Sequence, residues 1–271
     1  MQMTAPRLDD ARLNQAPLDQ VWARLDLVMD PELDEPVTDM GFIEAVSITD
    51  TGQQNSATVH VSFRLPTYWC SPNFAFLMAG DIKRQIEVLP WVGQAVVTLQ
   101  DHMAAAEMNA AINSGASFGS VFEDLHPGED LAALREKFDV KAFQRRQESV
   151  IKAMIAIGFL PSDLVVMPRG LLAVTDLADP EAARQKTRYL AILQQKLGSN
   201  PADLAFPTYQ GTQVADYPLY MGLLRSVRIN MEFSGSMCRG LKASRYLEAD
   251  LSGAVPVLVD LTAPTPNHAC R

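Results

Sequence analysis

Leu18, Val21, Trp22, Leu25, Val28 and Met29 recur at three- and four-residue spacing, the stripe of an amphipathic helix, with Asp19 placed to cap it and Asp30-Pro31 to end it. The period then shortens to two. Phe42 to Ile48 reads as a strand, Asp50-Thr51-Gly52 as a turn, and Ala57 to Leu65 as a second strand. In that second strand Ala57, Val59, Val61, Phe63 and Leu65 share one face, and Thr58, His60, Ser62 and Arg64 the other. The loop Pro66 to Pro72, which carries Cys70, leads to a helix striped by Phe74, Leu77, Met78, Ile82, Ile86 and Leu89. Pro90 stops it, and Gln94 to Leu99 gives a third strand. Helix, hairpin, helix and strand make a small α/β sandwich, and the chain as a whole an α+β protein.

Beyond residue 103 the pattern turns helical. Ala104 to Ile112, Val140 to Ile157 and Pro180 to Leu197 are the expected helices, the last with Asp179 as cap, Pro180 in the first turn and Gly198 just past the end. Val227, Ile229, Met231 and Phe233 alternate with Arg228, Asn230 and Glu232, which predicts a strand. A loop Ser234 to Gly240 holding Cys238 and a short helix Leu241 to Leu247 follow, and Val255 to Leu261, interrupted by Pro256, is an edge strand at best. The domains expected are a flexible lead-in (1–17), the sandwich (18–103), a helical and α+β extension (104–261) and a mobile tail (262–271).

Composition narrows the function. The 271 residues hold 23 Lys and Arg against 32 Asp and Glu, a net charge of −9, which argues against a nucleic-acid partner. No run approaches the roughly 18 apolar residues of a membrane span, and Met1 to Arg12 has no signal-like apolar core, so a cytoplasmic protein without a membrane partner is expected. Three cysteines, Cys70, Cys238 and Cys270, do not make a disulfide framework. A free cysteine is often only a small buried hydrophobe. Cys70 and Cys238, however, both fall where a polar loop runs from an alternating segment into a helix, a setting that lowers thiol pKa values and favours the nucleophilic, metal-binding thiolate.

Asp101-His102 ends the third strand of the same small domain as Cys70, where a metal or proton-transfer ligand could approach; a solvated loop capping the next helix is the plainer reading. His60, His126 and His268 show no metal-ligand spacing, and no phosphate loop, Cys-x-x-Cys or His-Glu-x-x-His occurs. Arg145-Arg146, Arg225, Arg228 and Arg239 read as ordinary surface cations.

Asp30-Pro31-Glu32, then Val37-Thr38-Asp39-Met40-Gly41-Phe42-Ile43, Cys70-x-Pro72, and Leu89-Pro90-Trp91-Val92-Gly93 follow one another in an order that resembles the metal-sulfur cluster assembly family that includes the PaaD and SufT proteins, long catalogued as domain of unknown function fifty-nine. The likeness covers about the first hundred residues. It implies a role in assembling or delivering iron-sulfur clusters, with Cys70 as the motif cysteine and Asp30, Glu32, Asp39 and Thr67 on the family's other polar positions. The chain departs from the family pattern in an extra residue after Glu32 and in Ser71, which separates cysteine from proline. The long extension resembles that of larger members found alongside soluble iron-dependent monooxygenases, which implies such an enzyme as client. Val227 to Tyr246, with Asn230, Cys238-Arg239-Gly240 and Arg245, is the segment expected to hold a second half of the site.

Common iron-sulfur clusters take four thiolates, and one chain offers at most three. Iron or a cluster would therefore be held transiently with carboxylate help, completed by a client metalloenzyme or small thiol, or shared in a homodimer supplying Cys70 and Cys238 twice. The leading expectation is an assembly or delivery factor rather than a turnover enzyme. An adaptor or chaperone with an inert Cys70, and thiol chemistry at Cys70 on a disulfide or acyl group, stand as alternatives.

Overall fold

The computed structural model describes residues 8–49, 56–122 and 131–247. Helix α1 (Leu8–Leu25) precedes strands β1 (Ile43–Thr49) and β2 (Ala57–Arg64), helix α2 (Pro72–Glu87) and strand β3 (Val92–Gln100). β1 and β2 pair antiparallel, and β2 and β3 pair parallel across the α2 crossover, giving the order β1-β2-β3. The alternation in β2 buries Val59, Val61 and Phe63, which meet Ala95, Val97 and Leu99 of β3 and Met78, Ile82 and Ile86 of α2 in the first core. α1 begins at Leu8 and passes through Pro17, so Asp19 lies inside it rather than capping it, and it ends at Leu25.

The outer edge of β3 would leave an open row of backbone donors and acceptors. Helix α3 (Ala105–Ser114) closes it with two asparagines one turn apart. Asn109 accepts from the Leu99 amide at 2.7 Å and donates to the Leu99 carbonyl at 3.0 Å; Asn113 does the same for Val97 at 3.0 and 2.8 Å. Helix α4 (Phe118–Phe122) adds Phe118 and Phe122 to the first core.

The remaining helices are α5 (Leu131–Ala156), α6 (Pro161–Val166), α7 (Arg169–Val174), α8 (Pro180–Leu197) and α9 (Tyr217–Leu247). They surround a second core of Phe143, Val150, Ile151, Met154, Tyr189, Leu193, Phe206 and Leu224. Its polar centre is satisfied. Gln147 donates to the Tyr189 hydroxyl and the Pro207 carbonyl, accepts from Tyr220, and the Tyr189 hydroxyl donates to the Ala205 carbonyl.

The α+β class holds, but the expected strand at 227–233 and loop at 234–240 are one continuous 31-residue helix. The alternation had another cause. Leu224, Met231, Gly235 and Cys238 recur at helical spacing on the side facing the protein, while Ile229 and Phe233 lie on the solvent side, so two helical stripes interleave into an apparent period of two. Gly235 lets the helix approach closely, since a Cβ there would lie 3.4 Å from Glu35 Oε1 and an Arg239 nitrogen. The expected turn at 50–52, His126, the edge strand at 255–261, His268, Cys270 and the tail lie outside the described residues.

Candidate functional site

Cys70 sits one residue before Ser71, the residue that opens α2, with Pro72 as the first helical residue. Its loop is held from three directions. The Cys70 amide reaches the Thr67 carbonyl at 3.4 Å, the Thr67 hydroxyl lies 3.1 Å from the Cys70 sulfur, and the Met103 amide donates to the Tyr68 carbonyl at 2.9 Å. Buried His102 completes the fixation. Its Nδ1 accepts from the Ala104 amide at 3.2 Å, which leaves Nε2 to donate to the Cys70 carbonyl at 2.7 Å. With both ring nitrogens engaged by backbone, His102 positions the cysteine loop and has no lone pair free for a metal. His102→Ala removes both bonds and leaves buried backbone groups unpaired, at a cost of about 1–3 kcal/mol. A lowered urea midpoint together with faster alkylation of Cys70 is the expected result; an unchanged midpoint would show the histidine to be dispensable to the loop.

The second sulfur arrives from the other end of the chain. α9 starts in the second core and runs out over the first, against which Cys238, like Cys70, packs as a half-buried residue. The helix is fastened there by charges. Arg239 pairs with Glu35 and touches the Met40 sulfur at 3.4 Å, Lys242 pairs with Glu44 at 3.4 Å, and Arg245 pairs with Asp101 at 2.7 Å. The Tyr246 hydroxyl lies 3.0 Å from Asp101 Oδ2 and 3.2 Å from the Leu65 carbonyl, with the Arg64 guanidinium over its ring. Asp101 is thus a fastening point for α9.

Burial pushes the Cys238 thiol up to about 11, and the negative charge of Asp30, Cys70 and Glu32 pushes the same way against Arg239. The expected helix-start thiolate does not apply to Cys238, which lies deep within α9 and is a protonated thiol at neutral pH. Asp30 is itself buried, and its carboxyl is raised to about 6, chiefly by desolvation and despite accepting from the Glu32 and Leu33 amides, each at 2.9 Å. Glu32 lies beneath α9 in a 190 Å³ pocket with Met231 and Ser234. Asp39 is exposed in the turn before β1.

Asp30, Glu32 and Cys70 thus lie close enough to act electrostatically on Cys238, and Thr67 touches Cys70, while Asp101 holds α9 and His102 holds the Cys70 loop. Among the described residues no group of three or more His, Cys, Asp or Glu is arranged to hold a metal ion outright. Two residues that reading the sequence left aside matter: Glu35, which anchors both Arg145 and Arg239, and Tyr246, which closes the helix end. Tyr68 and Trp69, 44% and 72% exposed, and Met103 rim the loop that holds Cys70. Residues 18–97 match the family model described as iron-sulfur cluster assembly protein. No curated protein matches the chain.

Proposed function

From a first domain that matches the iron-sulfur cluster assembly family, we propose that this protein takes up iron or an iron-sulfur unit as cargo at Cys70 and Cys238 and passes it to a client metalloenzyme. The observation that carries this reading is α9 setting a second thiol where Cys70, Asp30 and Glu32 act on it electrostatically. Two thiols are fewer than the four thiolates that common clusters take, and carboxylates are weaker ligands for such a cluster, so the cargo keeps positions that the recipient can take over. The acids draw a cation in, and burial, with the acids' charge added to it, keeps the empty Cys238 thiol protonated and slow to oxidise. An arriving iron displaces that proton, so loading releases protons and weakens as pH falls.

The client we propose is a soluble iron-dependent monooxygenase, a choice that rests on the resemblance of the extension. Anaerobic loading of the full chain with ferrous iron and sulfide tests the site: Cys70→Ser and Cys238→Ser should each bind less iron and sulfide than the parent. Unchanged content in both would overturn the cargo role. A second reading, an adaptor with an inert Cys70, draws support from the exposed Tyr68, Trp69 and Met103 around that residue. Cells carrying Cys70→Ala separate the two, because client activity kept at normal client abundance would select the adaptor.

A further inference from the structure

The side of α9 turned away from both cores carries Leu219, Leu223, Ile229, Phe233, Met237 and Leu241, all exposed, Leu219 to 73% and Phe233 to 66%. At 3.6 residues per turn these six fall within an arc of about 120° along the whole helix. An exposed apolar stripe of this length, broken only by Gly222, Ser226, Asn230 and Gly240 within the same arc, marks an interface. Its pattern is self-complementary. Leu219 and Leu241 lie eleven residues on either side of Asn230, and Leu223 and Met237 lie seven.

Charge adds direction to this symmetry. Four cations of α9, Arg228, Arg239, Lys242 and Arg245, are committed to Glu148, Glu35, Glu44 and Asp101 of the same chain. The flank of the stripe carries Arg225 and Glu232, opposite in sign and seven residues apart; Glu232 also accepts from Arg228 of its own chain at 2.7 Å, so the partner's Arg225 would share that carboxylate. In an antiparallel helix pair like flanks meet, so Arg225 faces Glu232 of the partner subunit and the contact occurs twice about the two-fold axis. A parallel pair would instead set this flank against the inward-committed one.

We propose that a second copy of this chain packs antiparallel along α9, with the stripe as the core of an isologous dimer. Gly222 and Ser226 leave room for Phe233 of the partner subunit, and the axis passes near residues 228–230. The two Cys238 sulfurs then lie about 25 Å apart along the helix direction. Each protomer therefore keeps its own thiol pair, and the dimer does not build a shared four-thiolate site. The inference stands independently of the cargo role.

Light scattering and sedimentation of the full chain across micromolar concentrations test it. A dimer is expected, and Phe233→Glu should turn it into a monomer with unchanged helix content. Arg225→Glu and Glu232→Arg should each weaken it about ten-fold, and together restore it, a readout that general unfolding would not give. Cys70→Ser should leave the dimer intact, and Phe233→Glu should leave iron loading intact, so failure of the cargo role is visible separately. A monomer at every concentration, a dimer indifferent to Phe233→Glu, or a charge swap that fails to restore would each overturn the proposal. So would a monomer whose Phe233→Glu variant loses only client activation, which would assign the stripe to the client instead.

Discussion

Replacing Arg146 with methionine should destabilise the protein by about 3–5 kcal/mol, the cost of leaving a buried charge without its partner. Arg146 Nε donates to Asp34 Oδ2 at 2.7 Å, and its terminal nitrogen meets Asp34 Oδ1, giving a two-pronged pair across the boundary between the two cores. Both partners are buried, and Asp34 sits in the left-handed region at a backbone φ of +51°. Neighbouring bonds make the geometry rigid: Arg145 donates to the Leu33 and Asp34 carbonyls at 2.8 and 3.0 Å. Arg188, whose charge also acts on Asp34, offsets part of the loss. Urea unfolding of Arg146→Met and of the double variant Arg146→Met, Asp34→Asn decides the matter. The double variant should recover most of the stability, since it removes both charges and keeps a residue tolerant of the left-handed conformation. A single substitution costing less than about 1 kcal/mol would show that the pair is not desolvated as described.

Local signals in the sequence were sufficient where one stripe of one period meets one core. α8 spans Pro180–Leu197 as its punctuation predicts, with the Asp179 carboxylate accepting from the Ala182 amide at 3.0 Å. The β2 alternation likewise matches its burial residue by residue. α9 defeated the same reasoning because it has two apolar stripes, one for the cores and one for solvent, and their sum has the period of a strand. The short α6 and α7 contain too few turns to show a period at all. At the site, Cys70 before α2 was legible from its flanking residues. The neighbourhood of Cys238 was not, because a thiol's ionisation depends on which distant acids fold against it. The edge-closing asparagines Asn109 and Asn113 were equally hidden, since their spacing has meaning only once β3 is known to be an edge.

Asp30→Asn is expected to make the protein more stable and less able to load cargo, and the opposite signs are informative. Burial raises the Asp30 carboxyl from 3.8 to about 6. Between those values the folded state holds a proton that the unfolded chain has released, so stability falls as pH rises from about 4 to about 6 and stays reduced above that. A displacement of about two pH units corresponds to roughly 3 kcal/mol. Asparagine preserves the oxygen that accepts from the Glu32 and Leu33 amides and carries no charge to desolvate. At pH 7 the variant should therefore gain about 2–3 kcal/mol, while near pH 4 the two proteins should unfold alike. The same change removes an acid that pushes the Cys238 thiol up, so Cys238 should alkylate faster while iron uptake declines. Urea midpoints measured across pH 4–7 check the first half, and thiol alkylation with iron loading the second. Persistence of the wild-type pH slope in the variant would show that Asp30 is not the group destabilised by its burial, and would remove the case for a charged carboxylate held in place for the sake of the cargo.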